Sequence, residues 1–71
     1  MEIKMLIQIL SYISLKRVIL IPKIFLKPDT QFGQARKAGY IRIQKHDGQF
    51  YASLHQKGVV FLINHEANKL N

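Results

Sequence analysis

RKAGYIRIQKHDGQFYASLHQKGVVFLI, Arg36 to Ile63, carries the strongest geometric signal in the chain. Asp47-Gly48 separates two runs of alternating side chains, and Asp-Gly suits a two-residue hairpin turn because both central positions take φ > 0. Such a turn pairs Lys45 with Phe50, Gln44 with Tyr51, Ile43 with Ala52, Arg42 with Ser53 and Ile41 with Leu54. This register sorts the side chains by chemistry. Ile41, Ile43, Phe50, Ala52 and Leu54 fall on one face, while Arg42, Gln44, His46, Gln49, Tyr51 and Ser53 fall on the other, as a half-buried antiparallel pair requires.

Immediately upstream, Lys27-Pro28-Asp29-Thr30 reads as a turn into a helix over Thr30 to Ala38, with Asp29 or Thr30 accepting from a free N–H of the first turn. Gly39 then supplies the left-handed position after the helix, and Arg36 and Lys37 stand in the last turn, where cations suit the macrodipole. Phe32 and Ala35 point inward on this reading, and Thr30, Gln31, Gln34, Arg36 and Lys37 point outward. Gly33 weakens the helix by about 1 kcal/mol relative to alanine. Downstream, HQKGVVFLINHEANKLN has two readings. A helix from Gln56 or Lys57 would align Val59, Leu62, Ile63, Ala67 and Leu70; a strand over Val59 to Ile63 would extend the hairpin into a meander. The helix is preferred because a strand leaves Ala67 and Leu70 without a role.

At the other end of the chain, Ile3, Leu6, Ile7, Leu10 and Ile13 follow the spacing of an amphipathic helix over Glu2 to Ser14. Met5, Ile9 and Tyr12 make a second apolar stripe, which either joins the core or offers a homodimer surface. Leu15 to Pro28 is ambiguous. Val18-Ile19-Leu20-Ile21 favours a short buried strand, Val18, Ile21, Phe25 and Leu26 fit a helix face, and Pro22 forbids an undisturbed helix through this point. The expected class is therefore α+β: a small domain with one β-hairpin or, alternatively, an N-terminal helix with a three-stranded antiparallel meander.

Seventy-one residues make one small domain with a modest core, which a partner or ligand would help to stabilise. Eleven Lys and Arg against four acids give a formal charge of +7, favouring a polyanionic partner. MLIQILSYISL and VILIPKIFL are apolar, but each is roughly half the length of about twenty residues that a spanning helix needs. No small-residue cleavage site follows them, so neither a signal peptide nor a membrane partner is expected. The absence of cysteine excludes a disulfide framework and thiolate metal sites and allows a cytoplasmic setting.

Catalytic chemistry is poorly supplied. Of the four carboxylates, Glu2, Asp29, Asp47 and Glu66, two are committed to a cap and a turn. His46, His55 and His65 lack metal-ligand spacing, and the glycines are too dispersed for a phosphate loop. No cofactor is expected. The enzymatic alternative is a small basic ribonuclease using His46 or His55 with a neighbouring cation.

The ordered pattern Ala35-Arg36-Lys37-Ala38-Gly39-Tyr40-Ile41, Arg42-Ile43-Gln44-Lys45, the Asp47-Gly48 turn, Phe50-Tyr51-Ala52-Ser53-Leu54 and Gln56-Lys57-Gly58 before Phe61-Leu62 resembles the second half of a winged helix-turn-helix domain. The resemblance covers roughly residues 30–66. It implies a winged-helix-like fold, a recognition helix followed by a two-stranded wing, and DNA favoured over RNA as partner. Upstream the pattern departs from that family, since Pro22 interrupts the place where a second helix belongs. Carried onto this chain, the resemblance puts Thr30, Gln31 and Gln34 on the recognition helix, with the glutamine amides suited to adenine edges. Arg36, Lys37, Arg42 and Lys45 would share one surface near phosphates, and Tyr51 would meet sugar or phosphate from the wing. The competing readings are an RNA-binding or ribosome-associated protein and a phage or mobile-element inhibitor acting through protein contacts.

Overall fold

The structure, a computed structural model, describes residues 2–70, with side chains to His65. It is an α+β domain of three α-helices and a three-stranded antiparallel sheet. Helix α1 (Ile3–Lys16) leads through Arg17 alone into strand β1 (Val18–Ile21), and a single 3₁₀ turn follows over Lys23–Leu26. Helix α2 (Gln31–Lys37), the hairpin β2 (Ile41–His46) and β3 (Gln49–Leu54), and helix α3 (Gln56–Leu70) complete the chain.

The hairpin has the register read from its sequence, from Ile41 opposite Leu54 to His46 opposite Gln49. Asp47 and Gly48 take φ of 51° and 77°, the pair of positive values that a tight hairpin turn demands. The third strand comes from Val18–Ile21 rather than from Val59–Ile63, and it pairs with β3, giving the order β1-β3-β2. Ile19 and Ile21 thereby join Ala52 and Phe50 on the face toward the helices, and Val18 and Leu20 join Ser53 and Tyr51 on the opposite face. Pro22 ends β1, since it has no N–H for a ladder, and its carbonyl accepts from Phe25 in the 3₁₀ turn.

The core is small: Leu6, Ile9, Leu10 and Ile13 of α1 meet Ile21, Ala35, Ile41, Ala52 and Leu62. It draws on both stripes of α1. Of the second stripe, offered by the sequence either to the core or to a dimer surface, Ile9 is buried, Met5 packs against the core and Tyr12 is exposed, whereas Ile3 of the first stripe faces outward. Fourteen residues of helix laid over a twisted sheet bury a stripe at i, i+3, i+4 and i+7, and Leu6, Ile9, Leu10 and Ile13 have that spacing.

Helix α3 is also rolled relative to the expected stripe. Gly58, Phe61 and Leu62 turn inward, while Val59 and Ile63 are exposed; the side chains of Ala67 and Leu70 lie outside the described residues. The cause is tertiary. Gly58 sits against the Tyr40 carbonyl, where a Cβ would lie 2.2 Å from the oxygen, and Phe61 packs edge-on to the Tyr40 ring at 5.4 Å. These two contacts fix which side of α3 meets the body.

Candidate nucleic-acid interface

Helix α2 is short but held at both ends. The Thr30 hydroxyl accepts from the Gly33 N–H at 3.0 Å and lies 2.6 Å from the Phe25 carbonyl and 2.7 Å from that of Lys27, to one of which it donates. Thr30 is thus the N-cap, half-buried and fully engaged, and not the outward-facing contact residue expected from the sequence. At the other end Gly39, with φ 87°, lets its own N–H reach the Arg36 carbonyl and the Tyr40 N–H reach that of Ala35, a Schellman closure. The Lys57 ammonium donates to the Ala38 carbonyl at 2.7 Å and lies 4.5 Å from the centre of the Tyr40 ring. The start of α3 therefore caps the end of α2.

Gly33 and Ala35 are buried and Phe32 is half-buried, leaving Gln31, Gln34, Arg36 and Lys37 exposed on α2. The Gln34 amide donates one long bond, 3.5 Å to the Asp29 carbonyl. Beside Gln34 and Lys37 runs a groove of about 510 Å³, walled by Ile3, Leu6, Tyr40 and Phe61.

The hairpin distributes its residues less uniformly than expected. Lys45 stands opposite Phe50 on the helix-bearing face of the sheet, its ammonium 5.7 Å from the ring centre. Arg42 stands opposite Ser53 on the other face, with Gln44 and Tyr51. Because successive side chains on a strand alternate faces, two cations three positions apart cannot point the same way. The four cations expected on one surface are therefore divided: Arg36, Lys37 and Lys45 lie on the helix-bearing side and Arg42 on the reverse. Tyr51 is half-buried between Leu20 and Gln44 in the register, and its hydroxyl donates to Gln49 Oε1 at 3.0 Å.

His46 and His55 are exposed and His65 is half-buried. His46 Nε2 lies 3.4 Å from Asp47 Oδ2 at the solvated hairpin tip. Sequence reasoning missed Lys57, whose role depends on a carbonyl 19 positions away and so leaves no local signal.

No protein-family model, curated protein or solved structure matches this chain.

Proposed function

We propose that this chain is a small DNA-binding module, a regulator acting in the cytoplasm, in which α2 enters the major groove and the β2–β3 hairpin braces the adjacent backbone. The observation that carries the reading is the state of α2: its ends and inner face are fixed, while Gln31, Gln34, Arg36 and Lys37 remain exposed on a strongly basic chain. Glutamine offers the donor and acceptor that adenine matches, and the two cations reach phosphates without further rearrangement. The order of elements supports the resemblance to winged helix-turn-helix domains: α2 runs through a glycine into a two-stranded wing, and a Lys-Gly step opens the next helix. The 3₁₀ turn at Lys23–Leu26 stands where that family has a full helix, so the approach of α2 to a groove is set here by the Thr30 cap and the packing of Gly33.

Fluorescence anisotropy with labelled duplex DNA over a series of salt concentrations tests the proposal. Affinity is expected to fall steeply with salt, and the double substitution Arg36→Ala/Lys37→Ala is expected to flatten the log–log slope by about 2, close to one unit for each phosphate no longer neutralised. Arg42→Ala, on the reverse face, is expected to change the slope by well under one unit. Absence of binding at low salt, or a slope indifferent to Arg36 and Lys37, would refute the reading. Preferential binding of structured RNA over duplex DNA would transfer it to the RNA-binding class.

A further inference from the structure

The sheet has two edges of different character. β2, sequence IRIQKH, carries Arg42 and Lys45 and has α2 packed beside it, a guarded edge. β1, sequence VILI, carries no charge, and among the described residues only β3 pairs with it. Ile21 is buried, but Val18 and Leu20, on the face away from the helices, are 54 % and 56 % exposed, large values for apolar residues on a strand. With β3 on one side only, alternate N–H and C=O groups of β1 point outward in the geometry of a strand awaiting a neighbour. Alongside lies a groove of about 520 Å³ between β1, Tyr12 and Lys16 of α1, and Phe25 and Phe32. The two phenylalanines pack on each other with ring centres 6.2 Å apart and form its wall.

We propose that β1 is a docking edge that takes an extended apolar peptide segment with acidic flanks as a fourth, antiparallel or parallel strand. Backbone pairing would supply the register, and every second side chain of the incoming strand would enter the groove walled by Phe25 and Phe32. Charge selects the occupant. Lys16 and Arg17 precede β1, Lys23 and Lys27 follow it, and there is no Asp or Glu anywhere between residues 3 and 28. A second copy of this chain fits poorly: pairing Leu20 with Leu20 of the copy, which keeps each side chain on its own face, would set Arg17 against Lys23, cation on cation, and pairing Ile19 with Ile19 would bring Pro22, which has no N–H, into the ladder opposite Lys16. A lipid surface cannot pair with strand-edge N–H and C=O groups, which cost several kcal/mol each when left unsatisfied in hydrocarbon. The site borrows Phe32 from the inner side of α2 but none of the exposed Gln31, Gln34, Arg36 and Lys37, so it does not depend on the DNA-binding reading.

Amide hydrogen exchange of the isotope-labelled full chain tests the proposal, using as probe the blocked peptide Asp-Asp-Val-Thr-Val-Thr-Val-Asp-Asp and its counterpart with lysine in place of each aspartate. The acidic peptide is expected to slow exchange of the outward amides of Val18–Ile21 by about tenfold or more at saturation, and the lysine-flanked peptide to bind at least about tenfold more weakly. Lys16→Glu/Lys23→Glu replaces two exposed side chains and leaves the fold intact; it is expected to invert the preference between the two peptides. Unchanged exchange at β1, equal binding of both peptides, or an uninverted preference in that variant would overturn the proposal. Protection of β1 that grows with protein concentration in the absence of peptide would overturn it too, by making a second copy the occupant.

Discussion

Gly33 lies inside a helix of seven residues, where alanine is ordinarily favoured by about 1 kcal/mol. Here a Cβ would meet the Lys27 carbonyl oxygen at 2.0 Å and the Thr30 hydroxyl at 3.1 Å, so space outweighs propensity. Gly33→Ala is expected to destabilise the protein by about 1–3 kcal/mol, read as a lower urea midpoint. The sequence shows a weak helix at this position; only the fold shows that the first turn of α2 rests on the backbone of the turn before it. Arg17 presents the reverse case. It joins α1 to β1 as a single residue with φ 71° and ψ −52°, a conformation that strains a side-chain-bearing residue. Arg17→Gly is expected to raise the midpoint by about 1 kcal/mol, net of the extra unfolded-state entropy of glycine. Thr30 was legible as a cap candidate, and the structure gives its hydroxyl no freedom for anything else. Thr30→Ala is expected to cost about 1–2 kcal/mol of stability, with Gln31→Ala, an exposed change, within about 0.5 kcal/mol of the parent in the same measurement.

Among the elements, the hairpin was fully legible because two independent signals agree: a turn dipeptide that requires positive φ, and a side-chain period of two that fails if the register slips by one. Between Leu15 and Pro28 the strand Val18–Ile21 was legible only as one of two readings. Val18–Ile21 is short and continuously apolar, and periodicity cannot separate strand from helix in such a run. Its strand state is decided by pairing with Phe50 to Ser53, a segment far along the chain that no local pattern in VILI can announce. The roll of α3 was hidden for a related reason. Its apolar residues exceed what one face can hold, and the inward side is chosen by Gly58 and Phe61 meeting Tyr40. The candidate interface was legible in its composition, since Gln31, Gln34, Arg36 and Lys37 are exposed as read, but not in the separation of Arg42 from Lys45 or in the use of Lys57. Lys57→Met keeps the aliphatic stem and removes the bond to the Ala38 carbonyl and the charge over Tyr40. It is expected to cost about 1–2 kcal/mol, measured by thermal or urea unfolding.

At the scale of the whole molecule, a formal charge of +7 is spread over 71 residues, and among the described side chains the single acid–base contact is the exposed His46–Asp47 pair. Cations that find no acid repel one another, and salt shortens the range of that repulsion to about 10 Å at 0.1 M. Raising sodium chloride from about 10 to about 200 mM is therefore expected to raise the melting temperature, opposite to the effect of salt on the DNA binding proposed above; a flat or falling melting temperature would show that the cations are already neutralised within the fold. The backbone at Tyr40 has a wider consequence. Its N–H closes α2 onto Ala35, its carbonyl accepts from His55 at 3.1 Å, and Gly58 is seated on that same oxygen. Three elements thus meet at the backbone of one residue. A load on the hairpin is therefore passed through these contacts to α2 and α3 together.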